Sequence, residues 1–481
     1  MKNKILFPAL MSCVLTGSVW AAEPVVDVSQ FGAIPNDDQD DTVALQQAVN
    51  AWRDVGGGTL YFPPGKYDLS ATVTVAGITG GRVDGTGAVL SWNGIGRTDP
   101  AGIAFSEIRD VVWSGGTLRF LSIPGTEKNL HAFLSFNNSE NITIRDARLE
   151  NVSVRLEHTR GGCVENVVAI DGSVPALIAA DSSDVRTVGS EFENFTSPVM
   201  TLTNCRNVGI YECRIAKALN GITLDGCAES VVDNCRIIDT VQSGVLATGQ
   251  IRELVIRDNF FSGNCTRRTI NSVDLENSFL LGSGRAAIVV TQFGDDMVPV
   301  DGDQIFEDTV YEMKPDARGV LSLETADPLV LDEWFPRRRV CVRREYDGAV
   351  EETIKIIGAS EWDLGILRIS FYKEDDIAQE ACRISLSIIA GDVEITGNRI
   401  NNSGANAIYL NSVYRGVIRD NTIHNGNWIN SDWTGTMIEV FNGSYLHCDG
   451  NFLLDDRTVK RHGIPIKIDA KESRETGTRA E

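Results

Sequence analysis

A period of about 22 residues governs this chain. Short alternating stretches recur in order: Phe133-Leu-Ser-Phe136 then Asn141-Ile-Thr-Ile144, Ala176-Leu-Ile-Ala179 then Val185-Arg-Thr-Val188, Val199-Met-Thr-Leu202 then Val208-Gly-Ile210, Gly221-Ile-Thr-Leu224 then Val231-Val232, and Gly244-Val-Leu246 then Leu254-Val-Ile256. Each unit reads as strand, polar turn, strand and strand, with no helical stretch. One such unit cannot bury its own apolar side, whereas units stacked at about 4.8 Å bury a continuous column. Periodic strands of this length therefore predict an all-β solenoid, a parallel β-helix. Cys205 and Cys227 are one period apart, as are Cys213 and Cys235, so each pair is expected on neighbouring coils, either as stacked buried thiols or within disulfide range. Asn234, Asn259, Asn398, Asn421 and Asn451 recur at one turn, where amide side chains can bond along the column axis.

A solenoid must hide its open apolar end. Residues Asp41 to Trp52 form an amphipathic helical pattern, with Val43, Leu45, Ala48, Val49 and Trp52 on or near one face and Asp40 or Asp41 as N-cap. This helix is the expected cap. Ahead of it, Lys2 and Lys4, an apolar run from Ile5 to Trp20, and the small residues Val19 and Ala21 read as a signal peptide over 1–22. The mature chain is expected to be secreted or periplasmic. A lipoprotein signal ending at Cys13 is the rival reading.

The run Phe31-Gly-Ala, Asp40-Asp-Thr, Leu45-Gln-Gln-Ala and Gly57-Gly-Thr-Leu-Tyr-Phe-Pro-Pro-Gly-Lys-Tyr67 resembles the opening of the pectin-lyase-like right-handed parallel β-helix superfamily. That superfamily holds glycoside hydrolases, polysaccharide lyases, uronan epimerases and phage tailspikes. The resemblance spans roughly residues 25–70. It implies the fold and a carbohydrate-active role, and it says little about reaction. The acidic set, Gly-His-Gly and Arg-Ile-Lys of the polygalacturonases are missing: the matching places hold Thr196-Ser197, Leu219-Asn220 and Gln242-Ser243-Gly244.

Regular coils fade after Gln292 and resume near Cys382. The segment between contains strand-like stretches such as Arg338–Arg344, Thr353–Ile357 and Leu364–Tyr372. The expected organisation is therefore a capped β-helix over 23–292, an inserted β-rich subdomain over 293–381 that could wall a groove, further coils over 382–470, and a frayed polar tail over 471–481.

Superposed repeats predict the side chains that leave one face outward. One row reads Ser135, Glu157, Ile178, Thr201, Thr223, Leu246, Tyr409 and Glu439; a parallel row reads Asn137, Thr159, Ala180, Thr203, Asp225, Thr248 and Asn411. A long shallow face suits a long glycan. The candidate catalytic residues are Glu157, Asp181, Asp225 and His158, with Glu157 and Asp181 as the favoured carboxylate pair for hydrolysis. Asp225 falls three coils from Glu157, about 14 Å at coil spacing. Arg155 and Arg160 are candidate substrate-binding residues, and with His158 they would serve a lyase or epimerase. Tyr409, Trp428 and Trp433 are candidate sugar-stacking aromatics. No metal or other cofactor is required, although Asp295-Asp296 or Asp455-Asp456 could hold Ca²⁺.

The net charge is −22. Such a field disfavours duplex nucleic acid and anionic membranes, and it repels an anionic polysaccharide unless a local basic cleft overrides it. The expectation is a secreted glycoside hydrolase with a polysaccharide partner. A polysaccharide lyase or uronan epimerase, and a non-catalytic glycan-binding solenoid, are the alternatives.

Overall fold

A computed structural model describes residues 23–93, 101–120, 132–249, 251–265, 390–404, 406–411, 413–426, 436–456, 466–471 and 474–480, together with short strands between 286 and 388. The expected signal peptide, Cys13, Asp295-Asp296, Trp428 and Trp433 lie outside the described residues.

The chain winds as a right-handed parallel β-helix with three faces. One face runs from Val73–Ala76 through Ser153–Glu157, Met200–Thr203 and Asn406–Asn411 to Ile466–Lys471, and is called the groove face below. The second runs from Val25–Asp27 through Arg206–Tyr211 to Arg474–Thr476. The third is a separate 13-stranded parallel sheet from Gly65–Leu69 to Arg479–Ala480. Inward positions of all three faces supply one continuous core. In it Leu134, Leu156, Leu202, Leu224 and Ile408 are buried, and Phe105 stacks on Phe136 with ring centroids 4.7 Å apart. Each fully buried aliphatic side chain contributes about 1.5–3 kcal/mol.

The turns explain the polar residues between the strands. Where the groove face meets the second face, a left-handed residue recurs in each coil: Asn138, His158, Asp181 and Asn204 have φ between 48° and 52°. Asn and Asp tolerate this region because a short polar side chain can bond locally. A second such column, including Asp146, Asn166 and Asn234, marks the next corner. Amides then bridge coils: Asn166 donates to Asp146 at 2.6 Å and Asn194 to Asp171 at 2.5 Å.

The buried asparagine ladder is real but begins one step later than expected. Asn259 Nδ2 donates to Asn398 Oδ1 at 3.1 Å, Asn398 to Asn421 at 3.0 Å and Asn421 to Asn451 at 3.0 Å. Asn234 is not a member. It is the left-handed residue just outside the ladder, and Cys235 takes the inward place, its N–H donated to Asn259 Oδ1 at 2.8 Å. The four cysteines are buried free thiols. The hydrogen bond each donates to its stacked partner, with burial, holds Cys227 and Cys235 above the ordinary thiol range.

The capping helix covers Thr42–Asp54. Leu45, Ala48, Val49 and Trp52 are buried, while Val43 is exposed, because it sits on the flank turned away from the column. Asp40, rather than Asp41, accepts the N–H of Thr42 at 3.0 Å. Trp52 Nε1 donates to Gly58 O at 3.1 Å, and Gly81 leaves room for its ring.

Two expected boundaries differ. Cys382–Ile388 pairs antiparallel with Val310–Met313 and Arg339–Tyr346 in a six-stranded sheet, so coil pairing resumes at Ala390. The residues expected as a frayed tail pair in parallel with the coil before them. Arg474 lies opposite His447 and Arg479 opposite Phe452, because the ladder still offers unpaired backbone there.

Candidate functional site

Register on the groove face fixes which side chains share a wall. Opposite pairs Ser135–Arg155, Arg155–Ile178, Ile178–Thr201, Thr201–Thr223 and Thr223–Leu246 define one outward row. The backbone register carries it on, past position 289, to Tyr409 and Glu439. The second row is Asn137, Glu157, Ala180, Thr203, Asp225 and Thr248. Glu157 therefore belongs to the second row and Arg155 takes its place in the first. Thr159, expected outward, is buried and bonds to Phe136 O and Glu157 O. The coil of Ser153–Glu157 is reached by the short link 151–152, which sets its strand two residues ahead of the superposition.

Corner lengths bound the central strip of this face. The third-face strands feed the strands that carry Glu157, Ala180, Thr203, Asp225 and Thr248 through residues 151–152, 171–176, 194–199, 217–221 and 239–244. The preceding and following corners are longer, at 121–131 and 263–285. Past Val290, on the other side of the face, the chain leaves for the six-stranded sheet and returns at Ala390. Short corners leave little chain to rise above the strip, which makes the first four of these coils the natural floor of a groove; Leu246 and Thr248 of the fifth are buried.

Along that floor Arg155 Nη1 lies 3.7 Å from Glu157 Oε1, with the Arg155 side chain largely covered and Glu157 about one third exposed. Glu157 sits opposite Ala180, so Asp181 follows one coil on and one residue along. From the coil rise and strand rise, their α-carbons are about 6 Å apart. Asp181 is exposed in its left-handed turn, and its Oδ1 accepts the amide of Asn204 at 3.2 Å. His158 occupies the equivalent turn before it and is exposed. Asp225 shares the row of Glu157 but lies three pairings away, and its Oδ1 accepts from Thr248 Oγ1 at 2.9 Å. Glu157, Asp181 and His158 are thus brought together; Asp225 is not.

Two expected binding residues are placed elsewhere. Arg160 opens a second-face strand, around the corner, with Nε 3.7 Å from Asp184 Oδ2. Tyr409 is outward but buried against Leu246 and Ala286, so it offers no platform to a sugar ring. Two groups of side chains stood in the outward rows predicted from the sequence without being given a role. Thr201 stacks on Thr223 as the superposed repeats predict, with Thr203 two residues along from Thr201, and Asp225 stands between Thr203 and Thr248. Farther along, buried Glu439 accepts from Asn406 at 2.8 Å and lies 3.4 Å from Lys467 Nζ. Among the described residues no three His, Cys, Asp or Glu side chains gather as a cation site, and Asp456 faces His424 Nε2 at 3.0 Å. No helix among them is long and apolar enough to cross a membrane.

Comparison with known proteins agrees with this architecture. Residues 132–292 match the model of the right-handed β-helix region, and residues 25–79 match that of the rhamnogalacturonase A/epimerase, pectate lyase-like family. Mannuronan C5-epimerase AlgE6 of Azotobacter vinelandii is 49% identical over 45 residues, 9% of this chain and 5% of that protein. Plasmin and fibronectin-binding protein A of Streptococcus pneumoniae is 26% identical over 153 residues, 27% of this chain and 21% of that protein. The matched stretches thus take in a small part of either relative. The solved structure of the pneumococcal surface adhesin PfbA superposes with a TM-score of 0.50 at 14% identity, covering 95% of this chain and all of that one. The Agl-KA catalytic domain does so with a TM-score of 0.50 at 13% identity, covering 98% and 70%. At such identities the likeness is one of fold. Opening motif, coil register and matched family models together place this chain in the right-handed parallel β-helix superfamily.

Proposed function

We propose that the protein is an exported carbohydrate-active β-helix that binds a polysaccharide along the groove face and hydrolyses it beside Glu157 and Asp181. The observation that carries this reading is the one-coil relationship of those two carboxylates. Glycoside hydrolysis needs two carboxyl groups about 5–9.5 Å apart, one to protonate the leaving oxygen and one to activate water or attack. A one-coil offset, with α-carbons about 6 Å apart, is compatible with that spacing; the three coils from Glu157 to Asp225 exceed it. Asn204 orients Asp181, which suits it to the water-activating or nucleophilic role and leaves proton donation to Glu157. For that, Arg155 has to turn from Glu157 to the substrate.

A second reading, a glycan binder without catalysis, is favoured by one observation. The charged groups of the strip already have partners: Arg155 with Glu157, Asp181 with Asn204 and Asp225 with Thr248. Incubation with a panel of polysaccharides separates the readings. New reducing ends without ultraviolet absorbance from an unsaturated product support hydrolysis. Reducing ends with that absorbance mean a lyase, altered uronate stereochemistry an epimerase, and retention without turnover a binder.

A further inference from the structure

We infer that the polymer recognised on the groove face is an uncharged glycan rather than a polyuronate or a sulfated chain; this rests on the groove reading above. The ground is the charge of the floor. Recognition of a polyanion in a groove calls for cationic side chains facing its acid groups, because each buried or half-buried carboxylate needs a partner. Among the described residues of the two outward rows the cations are Arg155 and Lys467. Each faces a carboxylate of the protein itself, Glu157 in one case and Glu439 in the other. Asp225 adds a further negative charge to the same floor, and Glu107 and Asp181 add two at its left-handed edge. The face is net negative within a chain of net charge −22. The local basic cleft that would let an acidic polymer overcome that field is not there among the described residues.

What the floor does offer is neutral. Thr201 stacks on Thr223 in the first row. Thr203 precedes Asp225 and Thr248 in the second, beside Ile178 and Ala180. Of these hydroxyls, Thr223 Oγ1 is buried and buried Thr248 donates to Asp225, whereas those of half-buried Thr201 and Thr203 stay accessible and can both donate and accept. That is the chemistry of a sugar hydroxyl, and the small aliphatic neighbours suit the apolar C–H faces of the ring.

The test is affinity electrophoresis of the full-length mature protein at low and high salt, against neutral polymers (xylan, mixed-linkage glucan, galactan) and acidic ones (polygalacturonate, alginate). The expected result is retardation by at least one neutral polymer, unchanged by salt, and none by the acidic ones. Thr201→Ala with Thr203→Ala should weaken that retention roughly thirtyfold, since each of the two lost hydroxyl contacts is worth about 1 kcal/mol. Retention by an acidic polymer that weakens with salt would overturn the inference while leaving the groove reading intact. Retention by none of the polymers would overturn both.

Discussion

The Asn204 amide donates to Asp181 Oδ1 across one coil, at 3.2 Å, and so fixes a carboxylate one coil beyond Glu157. The same Asn-to-Asp bridge recurs at another corner, between the second and third faces, where Asn166 donates to Asp146 at 2.6 Å. A structural device of the fold thereby orients a candidate catalytic group. If Asp181 acts in hydrolysis, Asp181→Asn and Glu157→Gln each lower reducing-end release by at least about 100-fold with glycan retention unchanged. Asp225→Asn should change turnover by no more than a few fold. Asn204→Ala should lower kcat about tenfold with little change in KM, as expected of a positioning residue that contributes through Asp181. Equal losses at Asp225 and Asp181 would count against the pair.

The asparagine ladder gives a stability prediction. Asn421 Oδ1 accepts from both the backbone N–H and the side-chain amide of Asn398. Asn421→Ala leaves those buried donors unmet and should cost about 3 kcal/mol in urea unfolding. Asn234→Gly should be close to neutral, because the left-handed φ there suits glycine and the side chain lies outside the ladder.

At the capped end, a Cβ on Gly81 would come 2.6 Å from Trp52 Cζ2. Gly81→Val should therefore lift the helix Thr42–Asp54 from the column. The expected readouts are a lower Tm and faster amide exchange in residues 42–61, with the coils beyond Met200 unaffected at first. Uniform exchange along the whole column would contradict this local view.

Asp41 supplies a pH dependence. Burial, with the charges of Asp37, Asp68 and Asp40, pushes its carboxyl up to about 6, against the hydrogen bond it accepts from Asp68 N–H. The folded state thus holds a proton that the unfolded chain releases near pH 4. Its contribution to stability is full below that pH and is lost as pH rises through about 6. Asp41→Asn removes the loss, so the variant should gain stability over wild type between pH 4 and 6 and keep the gain at pH 7. A stability difference that does not vary with pH would refute this assignment.

The 22-residue period, the inward apolar positions and the capping helix are local or strictly periodic properties, and from these the sequence determines a capped solenoid. The buried ladder at Asn398, Asn421 and Asn451 was legible for the same reason. Register was not, since a shift of two residues preserves the alternation that a periodic reading detects. Only the tertiary structure moved Glu157 into the row of Asp225 and turned Thr159 inward. It likewise carried Arg160 around a corner and buried Tyr409. Each of these depends on corner length, on the outer covering of a coil, or on an amide from the next coil, and stacking brings those contacts together from positions that no single repeat contains.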